Sequence, residues 1–269
     1  MSHFVQPPRI LAIHAHPDDV EFQCAGTLAL LREIGCAVTI ATMTPGDCGS
    51  ADQDAETIAE IRRGEARAAA ALIGADYLCL EFRDLAVFSD DDSRRRVTET
   101  LRRVKPDIVL TAPPIDYMSD HEATSQLVRD ACFCAPLPNY ATRRWEPAAP
   151  LPKIPHLYYV DALEGQDRDG EPSPTGFHVD ISRVFDLKRR MLACHASQRD
   201  WLLKHHGIDE YLNAQEKWSA HRGAEIGVRY AEAFRQYVGH PYPRNNLLIE
   251  CLAQSPCNPK ISMKMEEKS

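Results

Sequence analysis

The sequence predicts an α/β fold: a Rossmann-like, mostly parallel sheet with helices on both faces and extra helices at the C-terminus. Three observations predict it. Short apolar runs alternate with amphipathic helical segments through the first half of the chain. The 269 residues, 44% of them hydrophobic, suffice for one large core without staples. The 26% of charged residues is ordinary for a globular protein and excludes a disordered, collagen-like or coiled-coil chain.

Ile10 to Ala15 is a short apolar run closed by a turn signal and reads as a buried strand. A helical pattern follows from Val20 to Ile34, with Asp18 and Asp19 at the N-cap and Gly35 at the C′ position. Ala37 to Met43 is the second strand, and Thr44 to Ser50 is a loop of turn formers. The alanine-rich helix Ala55–Ile73 ends at Gly74. A strand at Tyr77–Phe82, a helix at Asp91–Val104 and a strand at Asp107–Ala112 come next. Pro113–Asp120 reads as a loop and His121–Cys134 as a helix. Right-handed crossovers then give a parallel sheet that takes ligands at the carboxyl ends of its strands. Pro136 to Pro155 holds six prolines and reads as a surface loop bordering a cleft. His156–Ala162 and Phe177–Ile181 are two further strands, and three mostly helical segments span Val184 to Tyr237. His205-His206 reads as solvated surface. Residues 1–253 are expected to form one domain, with a core at about 9–182 and a helical part at about 183–237. The polar tail 254–269 is expected to be disordered.

A net charge of −8 lacks the basic face that non-specific nucleic-acid binding needs. No apolar run is long enough for a membrane helix, and the N-terminus lacks signal-peptide character. The nine cysteines are odd in number and irregular in spacing, which indicates reduced, structural thiols and a cytoplasmic location. No phosphate-binding glycine pattern follows the first strand, so a nucleotide site is weakly supported.

The chemistry concentrates at one edge. His16-Pro17-Asp18-Asp19 follows the first strand, Asp120-His121 follows the fourth, and the Thr44–Ser50 loop follows the second. One histidine, one carboxylate and a second histidine make a three-ligand set with an open fourth position, as catalytic zinc uses. Consecutive side chains diverge in a turn, so one of Asp18 and Asp19 binds the metal and the other acts as general base. Spacing alone does not decide which. Asp120 is placed to orient a ligand. Aspartate before a helix is equally an ordinary N-cap.

Ala15-His16-Pro17-Asp18-Asp19-Val20-Glu21, Gly26-Thr27-Leu28 and Thr44–Ser50 resemble the signature blocks of the PIG-L/LmbE-like deacetylases. Those are zinc enzymes that remove acetyl groups from N-acetylglucosamine derivatives. The resemblance continues through Arg62-Arg63-Gly64-Glu65, Lys105–Val109 and Asp116–His121. His195–Gln198 and Gly227–Phe234 are similar to the branch serving bacillithiol-type thiols. The resemblance implies His16, Asp19 and His121 as zinc ligands, Asp18 as general base, and Arg62 near the sugar or its aglycone. Met118 and Ser119 replace the first His-Pro of the family's His-Pro-Asp-His block. A thioether donates no proton, which leaves Tyr117 or His195 to assist at the reacting carbonyl.

The expected activity is metal-dependent N-deacetylation of a small amino-sugar conjugate, with malate, inositol or a second sugar as aglycone. Iron(II) also suits such a ligand set. Another metal hydrolase such as a phosphoesterase, or a non-catalytic sugar-binding protein, is the alternative. Arg62 has a second reading as a helix-surface partner of Glu56 or Glu65, and His195 one as a helix-end cation. Tyr230 and Phe234, four residues apart, read as core on a late helix that would offer an interface for a homo-oligomer.

Overall fold

The computed structural model describes residues 6–143, 146–199, 210–257 and 259–263. The expectation for His205-His206 lies outside the described residues. The strands are β1 (Arg9–His14), β2 (Ala37–Thr42), β3 (Asp76–Cys79), β4 (Ile108–Thr111), β5 (His156–Val160), β6 (Phe177–Asp180), β7 (Ala231–Gln236) and β8 (Ile261–Met263). The helices are α1 (Asp19–Gln23), α2 (Ala25–Glu33), α3 (Ala55–Ala71), α4 (Asp91–Val104), α5 (Ser119–Cys134), α6 (Phe185–Ala193), α7 (Glu210–Ile226) and α8 (Leu247–Leu252).

One sheet runs in the order β3-β2-β1-β4-β5-β7-β6-β8. The first five strands are parallel, and the pairs β5–β7, β7–β6 and β6–β8 are antiparallel. The strand order reverses between β1 and β4, and this is where doubly wound sheets open a crevice at their carboxyl ends. The period-2 pleat sends alternate residues to opposite faces. Ile10 and Ala12 of β1 pack with Leu28 and Leu31 of α2, Met191 of α6 and Leu248 of α8. Leu11 and Ile13 pack with Val97 and Leu101 of α4 and Leu127 and Val128 of α5. Both faces are therefore helix-covered, which is why β1 and β4 read as unbroken apolar runs.

Four expectations change. The helix expected over 20–34 is two helices broken at Cys24, whose φ is −142°. Buried Glu232 reaches this break and accepts hydrogen bonds from the N–H groups of Gly26 (2.9 Å) and Thr27 (2.7 Å). Its other partner is Lys188 Nζ at 2.6 Å. Gly26 is required there, because a Cβ would lie 2.8 Å from Ile181 and 3.0 Å from Glu232 Oε1. The orphan amides of α2 are thus capped from the far side of the sheet.

The second change is the segment read as a late helix around Tyr230–Phe234. It is β7, paired on both sides. Ala231, Glu232, Ala233 and Phe234 are all buried, so no period-2 alternation shows, and Ala, Glu and Gln suggest helix until neighbouring strands override them. Tyr230 and Phe234 are core, as expected, but this element sits inside the sheet and offers no subunit interface. Third, Ile261–Met263 of the expected disordered tail forms the edge strand β8 against β6. Fourth, no described residue of 136–155 lines the cavity over the expected site. That segment packs instead on α4, where Glu99 receives Thr142 Oγ1 at 2.6 Å and the Ala148 N–H at 3.1 Å. All nine cysteines are free thiols. No helix among the described residues is long and apolar enough to cross a membrane.

Candidate metal centre

The site forms where the loops after β1, β2, β3 and β4 meet. His16 lies just past β1, Asp19 opens α1, and His121 stands in the first turn of α5. His16 Nδ1, Asp19 Oδ2 and His121 Nε2 converge. His16 Nδ1 is 3.3 Å from both of the other atoms, and Asp19 Oδ2 is 3.4 Å from His121 Nε2. Tetrahedral ligands at zinc distances of about 2.0–2.2 Å stand about 3.3–3.5 Å apart. The triad therefore has the spacing of a preformed three-ligand cradle. His14, which sequence reasoning did not single out, joins it: its Nδ1 lies 2.7 Å from Asp19 Oδ2. His14, Asp19 and His121 form an overlapping candidate set. His14 Nδ1 also accepts the Ala15 N–H at 2.9 Å, which leaves that lone pair engaged with the backbone, whereas His16 Nδ1 faces the centre.

The outer nitrogens of His121 and His16 lie beside carboxylates, while His14 Nε2 is buried without a partner. His121 Nδ1 meets Asp116 Oδ1 at 2.9 Å. His16 Nε2 lies 3.0 Å from Asp84 Oδ1 and 3.5 Å from Asp120 Oδ2. Such outer carboxylates fix the tautomer and aim the opposite nitrogen inward. Asp120 also accepts the Leu85 N–H at 2.8 Å, so it ties the loop after β3 to α5 as well as flanking His16. His16, Asp84 and Asp120 make a second acidic grouping around the outer side of the same ring.

The electrostatics favour a cation at this position. Burial alone would lower the histidine pKa values and raise that of Asp19. The carboxylates reverse the first effect: Asp19 and Asp116 push His121 up to about 9. Asp120, Asp19 and Asp84 hold His16 well above its ordinary value. His14 and His121 in turn hold Asp19 well below the usual carboxylate range. A site that stabilises protons so strongly favours a metal ion in the same place. The donor set, nitrogen and oxygen only, fits a borderline divalent ion such as zinc or iron(II).

Asp18 is set apart from the triad. It is the N-cap of α1, but its side chain makes no capping bond, and its backbone is left-handed at φ 102°, ψ −27°. That conformation costs a non-glycine residue about 1–3 kcal/mol and persists where the surroundings impose it. Tyr211 of α7 donates its hydroxyl to Asp18 Oδ2 at 2.6 Å, and Arg62 Nη2 lies 3.7 Å from Oδ1. Burial pushes the Asp18 carboxyl up, with Asp19 adding to the effect and Arg62, His195 and Tyr211 opposing it.

Arg62 is buried beneath the Thr44–Ser50 loop and donates to Pro17 O at 2.7 Å and Gly46 O at 3.3 Å. It lines the cavity but makes no surface pair, because Glu65 is taken by the Ser197 N–H and hydroxyl, both at 2.7 Å. Gly46 sits at φ +72°, and a Cβ there would come 2.3 Å from Arg62 Nη1, so the loop can close over the guanidinium only with glycine. Tyr117 is exposed at the cavity mouth with its ring 5.3 Å from that of His121. Met118 lines the cavity beside it. His195 does not line it; it is fully buried, its Nε2 3.5 Å from Glu21 Oε2. Glu21 and Asp18 raise its pKa against the effect of burial. His195 is thus buried against Glu21 and is not part of the cavity wall from which direct help at a substrate oxygen was expected.

Residues 11–132 match the family model described as PIG-L: GlcNAc-PI de-N-acetylase. This segment is similar to a PIG-L domain and makes up less than half of the chain. Across longer stretches the chain is 26% identical to 4-oxalmesaconate hydratase of Pseudomonas putida over 196 residues, covering 70% of this chain and 73% of that protein. It is 27% identical to the probable N-acetyl-α-D-glucosaminyl L-malate deacetylase 2 of Bacillus cereus over 226 residues, covering 78% and 93%. The structure is similar to that of N,N′-diacetylchitobiose deacetylase from Pyrococcus horikoshii, with TM-score 0.72, 26% identity and coverage of 89% and 88%. The PIG-L match spans β1 to α5 and so contains every candidate ligand. Tyr211, by contrast, lies beyond it on α7.

Proposed function

We propose that this protein is a metal-dependent N-deacetylase acting on a small N-acetylglucosamine conjugate, releasing acetate and the free amine. The observation that carries the reading is the convergence of His16 Nδ1, Asp19 Oδ2 and His121 Nε2 at 3.3–3.4 Å, with Asp18 beside them on a separate branch of the same turn. These three residues hold the ion, zinc or iron(II), and His14 flanks them. A metal bound there polarises the acetamide carbonyl and acidifies water.

Asp18 takes a proton from the attacking water and returns it to the departing nitrogen. Its raised pKa suits a base working nearer neutrality than an ordinary carboxylate. Tyr211 keeps the carboxylate in place by occupying Oδ2, and Arg62 locks the turn that carries Asp18 through Pro17 O. Asp84, Asp120 and Asp116 hold the two imidazoles in register. Tyr117, at the mouth and next to His121, is the side chain placed to donate to the substrate where Met118 cannot. A cytoplasmic location suits nine free thiols.

Acetate release from N-acetylglucosamine conjugates, compared between chelated and zinc- or iron(II)-restored enzyme, tests the reading. Metal-dependent acetate supports it. The hydratase relative raises water addition to a double bond as a second reading, and the same assay separates the two because hydration liberates no acetate. Turnover that survives complete chelation would refute the metal role.

A further inference from the structure

We propose that the site takes conjugates whose aglycone is uncharged and apolar, an alkyl or aryl group, and discriminates against anionic aglycones such as malate. The inference rests on the deacetylase reading for the sugar and on the cavity's own chemistry for the aglycone. The cavity over the metal centre has a volume of about 580 Å³, within the range that takes drug-sized ligands. It therefore has room for a substituent on the sugar.

Away from the centre, the wall is apolar: Phe22, Leu85, Tyr117, Met118, Leu163 and Ala214. Away from the metal centre the charged group among the described lining residues is Glu164, which is unfavourable to an anion. Among the described lining residues Arg62 is the only lysine or arginine; it sits at the centre beside Asp18, donates to Pro17 O and Gly46 O, and keeps its Nε–H without a partner. Asp18, Asp19, Asp84 and Glu164 line the same cavity. A carboxylate set against the apolar part of the wall would be desolvated there with no lysine or arginine among the described residues of that part to offset the cost.

The backbone supplies an independent observation. Leu85 has φ 60° and Glu164 φ 53°. A left-handed leucine has none of the local hydrogen bonding that lets asparagine adopt this region. Leu85 is also 59% exposed, so its side chain gains little from the core. In this conformation the Leu85 N–H is shared between Asp120 Oδ2 at 2.8 Å and Asp84 Oδ1 at 3.0 Å. The result is an apolar side chain held out at the mouth. Tyr117 faces the same mouth from the loop after β4, and Phe88 and Ile115 are exposed on these two loops. Scattered apolar residues need no explanation, but Leu85 and Tyr117 both line the cavity, and apolar side chains gathered at a pocket mark a ligand surface.

The test compares hexyl, inositol and malate conjugates of N-acetylglucosamine on the metal-loaded full chain. Acetate release reports the deacetylase reading, and calorimetric affinity for the same three compounds reports the aglycone inference. The hexyl conjugate is expected to bind about ten-fold or more tighter than the malate conjugate, a ratio typical of one or two apolar contacts. Equal or tighter binding of the malate conjugate overturns the inference, whether or not acetate appears. Absence of acetate from all three overturns the reaction assignment alone.

Leu85→Asn suits the left-handed backbone and so keeps the loop. It is expected to weaken hexyl binding several-fold and leave malate binding unchanged. Glu164→Lys is expected to tighten malate binding about ten-fold. If neither variant moves the hexyl-to-malate ratio, the apolar wall does not select the aglycone.

Discussion

Replacing Asp116 by alanine should weaken metal binding without disturbing the fold. Asp116 is buried and, among the described residues, is the only carboxylate on the outer nitrogen of His121, at 2.9 Å. Without it the imidazole loses both its tautomer preference and its rotational lock. Loss of such an outer partner typically costs 10–100-fold in metal affinity, or about 1.4–2.8 kcal/mol. His16 provides the internal comparison. Its outer nitrogen faces Asp84 at 3.0 Å and Asp120 at 3.5 Å, so Asp84→Ala leaves one carboxylate behind and should cost about ten-fold or less. Asp116→Asn should fall between wild type and Asp116→Ala, because its amide oxygen still accepts the ring N–H. Zinc competition against a chelator of known affinity, at fixed pH, measures all three variants, with circular dichroism reporting the fold. A folded Asp116→Ala protein that binds zinc as tightly as wild type would refute the assignment of His121 as a carboxylate-supported ligand.

Asp18→Asn should lower kcat by about 10²–10⁴ while zinc affinity stays within a few-fold, as measured by steady-state acetate release and the same chelator competition; near-normal turnover would remove Asp18 as base. Glu232→Ala should destabilise the protein by about 3–5 kcal/mol, read from the denaturant midpoint, because it strands buried Lys188 and uncaps Gly26 and Thr27. Glu99 should contribute pH-dependent stability. Burial alone would raise its pKa, but the Thr142 hydroxyl, the Ala148 N–H and Arg103 lower it. A carboxylate depressed in the folded state adds stability above its unfolded pKa and loses it as pH falls through the folded value. Glu99→Gln should therefore melt below wild type at pH 7, and the gap should close as the pH falls towards 3. A gap independent of pH would show that packing, and not ionisation, carries the effect.

The candidate metal centre was legible because the residues proposed to hold the ion sit in two short contiguous blocks at the ends of predicted strands. His16 and Asp19 are three residues apart, and the α/β alternation alone brings the block holding His121 to the same sheet edge. Asp84 was within reach of the same argument, since it follows β3 at that edge, and His14 shares the first block. Tyr211 had no such signal. It lies 193 residues from Asp18 on a helix with nothing in its own pattern to suggest a site. The role of Arg62 was half legible: its helix and its proximity to the site were expected, but its burial under a glycine-closed loop was not.

The amino-acid order by itself determined the parallel half of the sheet, the helices that cover it and the triad at its switch point. Each of these follows from local periodicity, turn residues and strand-end position. The tertiary structure decided the rest. It made a strand of Ala231–Gln236, since a segment of helix-forming residues buried on both faces takes its conformation from the strands beside it. It broke the first helix at Cys24 and capped the break with Glu232 from the far side of the sheet. It also set Tyr211 against the Asp18 carboxylate. Contacts between residues this far apart depend on packing geometry, which no local pattern of side chains encodes.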